Sequence, residues 1–143
     1  MAIKFNTIGQ IEKTYCFEDA IVESDVLNGT FGEVNDGVFT PAANATKAIM
    51  QVEVGDDEGM DEYKIPAGSH VRVLDFAALV EQYPKNANIE IYGAQLPDTY
   101  AVGDKLVSTA DGVLETGGSA APYFEIKKII GNKLGVEATA VME

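Results

Sequence analysis

The densest group of residues that could do chemistry is an acidic run at residues 55–62, GDDEGMDE. Its carboxylates are Asp56, Asp57, Glu58, Asp61 and Glu62. Carboxylates this close together could bind Ca²⁺, which takes about six to eight oxygen ligands. Their spacing differs from that of an EF-hand loop, which places ligands at alternate positions and ends on a glutamate. The run therefore predicts first a solvated hairpin tip, with a Ca²⁺ site or a contact with a basic partner as alternatives.

A second group with suitable residue types is His70, Arg72 and Asp75. Side chains alternate between the two faces of a strand, so positions 70 and 72 share one face. With a carboxylate nearby, the three could form an acid–base site, and the alternative is a polar strand face with no reaction. Because His70 is the only histidine of the chain, a pair of histidines for a metal ion is not available.

The chain has a single cysteine, Cys16, which excludes an intrachain disulfide. Its neighbours Tyr15 and Phe17 predict a small buried side chain rather than a nucleophile. The nucleophile-serine motif of hydrolases, the P-loop and the dinucleotide-binding fingerprint do not occur in the sequence. We therefore expect a protein that is not an enzyme and that has no catalytic residues and no cofactor.

The composition indicates a folded, acidic chain. Of its 143 residues 46% are hydrophobic, enough for the core of one domain. The 23 acidic and 10 basic side chains give a net charge of −13, which disfavours nucleic acids and anionic membranes as partners. Residues 1–10 lack the apolar stretch of a secretory signal, and no apolar run approaches the ~18 residues of a membrane span. We expect synthesis in a cytosol.

The elements that must position these groups are mostly short strands. Apolar and polar residues alternate along the chain, and Gly, Asn and Asp interrupt the alternation. The pattern predicts strands at residues 15–22, 30–34, 38–40, 48–54, 63–65, 70–74, 89–92, 105–109, 113–116, 123–130 and 134–141. One short helix is predicted after Asp75 as N-cap, with a spaced apolar face from Phe76 to Tyr83 and an end at Pro84.

Two Asp-Gly pairs mark tight hairpins, at Asp36-Gly37 and Asp111-Gly112. Asp-Gly suits a two-residue turn because both central residues need a positive φ. The sequences around the two pairs differ, so they indicate the same turn chemistry and not an internal repeat. A last hairpin is predicted around a Gly-Asn turn at residues 131–132.

Many short strands, frequent turns and one helix predict a mainly β fold, either an antiparallel β-barrel or a β-sandwich. Alternating helices and parallel strands are not expected, because no helix-length pattern recurs between the strands. The expected organisation is one β-rich domain at residues 13–143, preceded by an N-terminal arm at residues 1–12.

Two long segments carry a resemblance to a known class of proteins. They read VLNGTFGEVNDGVFTPAANATKAIM and IPAGSHVRVLDFAALVEQYPKNANIEIYGAQLPDTYAVGDKLVSTADGVLETG, and a closing β-hairpin follows. In order, AVGDKL, a hairpin with DGVL, a Gly- and Ala-rich loop and a terminal strand pair resemble small capsid decoration, or cement, proteins of tailed bacteriophages. The resemblance covers most of the chain, from about Val26 onward.

This resemblance implies a structural virion protein that binds the outer surface of the capsid shell and reinforces it. The implied partners are the major capsid protein and other copies of the chain, often as a trimer, and the implied location is the capsid exterior after synthesis in the host cytoplasm. The N-terminal arm would add a strand to a neighbouring capsid or decoration subunit. The alternatives are another phage component (head fibre, tail or minor shell protein) and a soluble β-barrel module that binds a sugar or Ca²⁺.

Overall fold

The computed structural model describes residues 3–5, 17–50, 64–82, 87–92, 96–130 and 135–142. It is mainly β, with one short helix and a closed five-stranded barrel, which confirms the predicted fold class. The elements are β1 (Ile3–Phe5), β2 (Phe17–Val22), β3 (Val26–Leu27), β4 (Phe31–Asn35), β5 (Val38–Pro41), β6 (Lys47–Ile49), β7 (Lys64–Ile65), β8 (His70–Asp75), α1 (Phe76–Gln82), β9 (Asn88–Tyr92), β10 (Lys105–Ser108), β11 (Leu114–Glu115), β12 (Tyr123–Ile130) and β13 (Gly135–Val141). Within these ranges no helix is long and apolar enough to cross a membrane.

Five strands close into a barrel in the order β2-β5-β4-β6-β8. Every neighbouring pair is antiparallel except β2 and β5, which run parallel, with Ile21 opposite Val38 and Val22 opposite Phe39. Antiparallel neighbours alternate in direction, and a closed ring can sustain this alternation only with an even number of strands. A five-stranded ring therefore needs at least one parallel pair, which the expectation of an antiparallel barrel had not included.

The second layer is a six-stranded sheet in the order β1-β9-β13-β12-β10-β11. The predicted terminal hairpin forms its centre, as β12 and β13, and the register shifts between Ile126 and Lys128, which marks a β-bulge. The turn predicted at residues 131–132 lies outside the described residues. A short ladder of β3 and β7 lies apart from both sheets in the strand order.

Two hydrophobic cores fill the molecule. The barrel core lies among the barrel strands and the β3–β7 ladder and consists of Ala20, Val22, Val26, Phe39, Ile49, Ile65, Val71 and Val73. The shared core joins α1, the six-stranded sheet and the opposite side of the barrel strands, where Phe31, Ala48 and Leu74 are fully buried. Adjacent residues of one strand thus enter different cores: Ile49 enters the barrel core, and Ala48 the shared core.

Three phenylalanines from distant parts of the sequence meet in the shared core. The rings of Phe76 and Phe124 contact edge to face with centroids 4.7 Å apart, and Phe31 lies 5.3 Å from Phe124 and 5.8 Å from Phe76. Such arrangements stabilise beyond the burial of area alone. Because these rings come from a barrel strand, the helix and the large sheet, they hold the two layers together.

The predicted helix is present as α1, from Phe76 to Gln82. Asp75 caps it as expected, since its Oδ1 accepts hydrogen bonds from the amides of Ala77 at 3.0 Å and Ala78 at 3.4 Å. Phe76 and Leu79 are buried in the shared core. Tyr83, predicted for the same face, lies outside the described residues.

Part of the expected N-terminal arm is the edge strand β1. Ile3, Lys4 and Phe5 pair with Ile91, Glu90 and Ile89 of β9, antiparallel and within the same chain. Residues 6–16, which include Cys16 and the expected start of the domain at residue 13, lie outside the described residues. The arm therefore supplies a strand to the chain's own sheet.

Candidate interaction surfaces

The three residues of the possible acid–base site have separate surroundings. The guanidinium of Arg72 lies 4.5 Å above the ring of Phe17, and its Nε donates a hydrogen bond to the carbonyl oxygen of Met50 at 3.0 Å. The carboxylate of Asp75 caps the helix. His70 is exposed at the start of β8. Two of the three groups thus hold secondary structure in place, and the geometry assembles no proton-transfer pair from them.

A charged cluster surrounds Lys47 at the start of β6. Its Nζ forms an ion pair with Oε1 of Glu18 at 2.7 Å. Partial burial lowers the pKa of Lys47, but the hydrogen bond and charge of Glu18, together with the charges of Asp75 and Glu33, outweigh it, so the pKa is raised above 10.5. Lys47 is therefore a firmly protonated cation that neutralises part of the surrounding negative charge, and it is a poor nucleophile or base.

Glu33 fastens the start of β6 to β4. Its carboxylate accepts hydrogen bonds from the amide of Thr46 at 2.6 Å and from the Thr46 hydroxyl at 3.0 Å. Charge-assisted bonds of this kind are stronger than neutral ones. The Glu33 carboxylate is thus engaged in holding β4 and the start of β6 together.

Ser108 joins the large sheet to the loop that precedes β6. It is only 3% exposed, and its hydroxyl donates to the carbonyl of Ala42 at 2.8 Å and accepts from the amide of Ala45 at 2.8 Å. The Ser108 carbonyl also accepts from the amide of Asn44 at 3.0 Å. One side chain therefore satisfies two backbone groups of a loop more than sixty residues away.

Beside this junction is an open groove of about 330 Å³, lined by Asn44, Val107 and residues 117–122. The loop 117–122 is the Gly- and Ala-rich stretch of the sequence, and its short side chains leave the groove shallow. The peptide bond between Ala121 and Pro122 is cis. Polar and apolar atoms both line the groove, with no charged side chain among the lining residues.

One face of the six-stranded sheet carries charged side chains, some of them in contact with one another or with an aromatic ring. Lys127 pairs with Glu125 at 3.1 Å, and the ammonium of Lys105 lies 4.8 Å from the centre of the Tyr123 ring. The charged positions nearer β1 form the cross-strand row Lys4, Glu90, Glu137 and Lys128, read from the strand register. Two carboxylates are thus adjacent at the centre of the row, with a lysine position on either side.

A rigid turn presents an apolar side chain to solvent before β10. Val102 is 61% exposed. The amide of Ala101 donates to the carboxylate of Asp104 at 2.9 Å, the Asp104 amide donates back to the Ala101 carbonyl at 3.1 Å, and Gly103 donates to Ile126 at 2.8 Å. These hydrogen bonds hold the AVGD segment in one conformation. Little conformational entropy would therefore be lost if Val102 were to contact a partner.

The acidic run with Asp56, Asp57, Glu58, Asp61 and Glu62 lies outside the described residues. Among the residues that are described, no group of three or more His, Cys, Asp or Glu side chains is arranged to hold a metal ion. The Ca²⁺ alternative for the acidic run therefore stays a prediction of the sequence alone.

Sequence reasoning did not identify Ser108, Glu33 and Lys47 as structurally important. A serine at the end of a strand, or a lysine at the start of one, carries no local signal that indicates a distant partner. Ser108 and the loop that it holds are more than sixty residues apart in the sequence, so only the folded structure shows that they are in contact. By contrast, Asp75 directly before an apolar helical pattern is a local signal of an N-cap, and this prediction is confirmed.

Comparison of the chain with models of protein families found no match, and comparison with curated proteins found none either.

Proposed function

We propose that this protein is a structural virion protein of a tailed bacteriophage, which binds the outer surface of the capsid shell and stabilises it. Its partner would be the major capsid protein, and neighbouring copies would contact each other on the shell, as a trimer or as lattice neighbours. The role is that of a decoration or cement protein, without a catalytic step.

The observation that carries this proposal is the order of segments from Val26 to the terminal hairpin. AVGDKL corresponds to the fixed turn and β10, DGVL to the β10–β11 hairpin, the small-residue loop to residues 117–122, and the end of the chain to β12 and β13. These are the segments that resemble phage decoration proteins. Each has a defined place in one β layer, which is consistent with a rigid body that can brace a shell.

The charge balance supports the outer surface of a shell rather than its inside. A chain of net charge −13 is repelled by packaged DNA, whose phosphates carry a dense negative charge. On the exterior the same charge favours contact with basic surfaces and opposes nonspecific association with nucleic acid. The charged groups that the structure pairs internally, such as Lys47, are cations held among carboxylates, so they do not offset this preference.

The turn at residues 101–104 allows a test of which part of the protein contacts the shell. Among the described residues, Val102 is the most exposed large apolar side chain, and it lies in the AVGDKL segment. We expect Val102→Asp to weaken binding to expanded capsids in a co-sedimentation assay. The new carboxylate would have to lose its water at an apolar contact, which costs free energy. Thr99→Asp adds the same charge to an exposed site three residues away, and it is the matched control.

Binding of the wild-type protein to expanded capsids, measured over a range of protein concentrations, tests the proposed function. Binding to expanded capsids should saturate at a fixed number of copies per shell. Equal loss of binding in both aspartate variants would assign the effect to charge and remove Val102 from the interface. Wild-type protein that stays in the supernatant at every concentration would refute the proposed function.

A further inference from the structure

The strand β1 has few attachments within the described part of the chain. It is the outermost strand of the six-stranded sheet, and it pairs with β9 only. Three residues make the pairing: Ile3 is opposite Ile91, Lys4 opposite Glu90 and Phe5 opposite Ile89. A three-residue edge strand is held by few backbone hydrogen bonds, so its release costs much less than opening the sheet.

The register makes β9 selective for the strand that it accepts. Glu90 is directly opposite Glu137 on its other side, and like charges in that arrangement repel. Lys4 occupies the β1 position opposite Glu90 in the register, and opposite charges at directly opposed positions are favourable in general. The β9 edge therefore favours a strand with a basic residue between two apolar ones, which is the sequence Ile3-Lys4-Phe5.

The chain between β1 and β2 is long enough for β1 to be donated to another molecule. β1 belongs to the six-stranded sheet and β2 to the barrel, and residues 6–16 connect them. Fully extended, these eleven residues would cover up to about 40 Å, roughly the width of a small domain.

We propose that the β9 edge is a strand-acceptor site whose occupant can be β1 of a second copy of this chain, so that neighbouring molecules exchange their N-terminal strands. The backbone hydrogen bonds and the register that places Lys4 opposite Glu90 are the same within one chain and between two. Exchange therefore links molecules without the loss of any contact in the sheet. A second copy is the favoured donor because each copy carries the sequence whose register with β9 is known.

The inference extends the self-association of the proposed function, but its test uses the protein alone. The background is the full chain with Cys16→Ser, which removes the only native thiol. Two single-cysteine proteins, Lys4→Cys and Glu90→Cys, are purified separately, mixed and equilibrated in a glutathione redox buffer. Directly opposite residues of an antiparallel pair have Cα atoms about 4.5–5.5 Å apart, within the range of a disulfide.

A disulfide between the two proteins can form at this register only if β1 of one molecule pairs with β9 of the other. We expect it to accumulate and to be visible by intact mass. The matched control mixes Lys4→Cys with Glu115→Cys, an exposed position on β11 at the opposite edge of the same sheet, and should stay at background.

The double variant Lys4→Cys/Glu90→Cys reports the register, and a bond within one chain or between two is expected. If the double variant closes only within single chains and the mixture shows no more cross-linking than the control, exchange is refuted. If the double variant does not close at all, the acceptor site itself is refuted. Failure of the wild-type protein to bind capsids would leave this result unaffected.

Discussion

At the scale of single residues, the two Asp-Gly turns make different demands on their glycines. Asp36 and Gly37 both have positive φ, at 52° and 78°, as the sequence predicted for a two-residue hairpin. At the other turn only Gly112 has a positive φ, of 82°, among the described residues of that hairpin. Its amide donates to the carbonyl of Thr109, so the loop is a three-residue hairpin that ends on a left-handed glycine.

Gly112 is also enclosed by the barrel, whereas Gly37 is open to solvent. A Cβ on Gly112 would lie 2.4 Å from Cγ2 of Thr30 and 2.6 Å from the carbonyl oxygen of Phe31, while a Cβ on Gly37 would meet nothing within 4 Å. The Gly112 carbonyl in turn accepts a hydrogen bond from the Phe31 amide at 2.8 Å. The second turn is therefore part of the contact between the two layers.

We expect Gly37→Ala to lower the free energy of unfolding by about 1 kcal/mol, because only the positive φ is strained. Gly112→Ala should cost about 2 kcal/mol more, since the added carbon also overlaps backbone and side-chain atoms. Urea unfolding of the two variants beside the wild type measures both values. Equal losses would show that Gly112 is not enclosed as described.

Ser108 gives a second prediction at this scale. Ser108→Ala removes the acceptor of the buried Ala45 amide and should lower the free energy of unfolding by about 1–3 kcal/mol, which is typical of a buried donor left unpaired. Ser119→Ala, at an exposed site in the small-residue loop, is the control and should be neutral. Thermal unfolding followed by circular dichroism measures the difference. A neutral Ser108→Ala would contradict its role at the junction.

Local signals predicted the residues whose partners are close in sequence. Asp75 as N-cap and Asp36-Gly37 as a tight turn are of this kind, because their chemistry acts over three or four residues. Phe31 and Ser108 were not identified, because their importance comes from partners that only the folded chain brings near. Residue type alone does not distinguish a buried serine with two backbone partners from a solvent-exposed one.

At the scale of elements, alternation located most strands within a few residues, and β8, β9, β10 and β12 match their predicted ranges closely. The short strand β3 was not predicted, and the segment that forms β1 was expected only as part of an arm that adds a strand to a neighbouring subunit. The pairing of strands outside the predicted hairpins was also beyond the sequence. The parallel β2–β5 pair follows from closing a ring of five strands, and no residue pattern encodes it.

The ion pair between β6 and β2 gives a prediction of pH dependence. The pKa of Lys47 is raised in the folded protein above 10.5, so its stabilising charge is fully present below pH 10.5 and is lost as the pH rises through the folded value. We expect Lys47→Met to cost about 0.5–1 kcal/mol of unfolding free energy near pH 8, a small value because both side chains are partly exposed.

The difference between wild type and Lys47→Met should shrink above pH 10.5, where the wild-type side chain loses its proton. Urea titrations at a series of pH values measure it. Lys64→Met, at an exposed position on β7, is the matched control for the loss of one positive charge. A difference that persists unchanged at high pH would show that Lys47 acts through packing and not through charge.

At the scale of the whole molecule, two β layers share one core and are fastened together at the Phe31–Phe76–Phe124 cluster, at Ser108 and at Gly112. These contacts between the layers are the structural basis for proposing that the protein reinforces a shell. The proposed exterior position is based on the acidic charge of the chain. The proposed partner is based on the resemblance to phage decoration proteins, and the proposed exchange of β1 would connect neighbouring copies.

Electron microscopy of expanded phage capsids, imaged with and without this protein, tests the central claim most directly. The account predicts additional density at regular positions on the outer surface, at an occupancy that saturates as protein is added. Shells that remain bare at saturating protein, while the protein itself is folded, would contradict it.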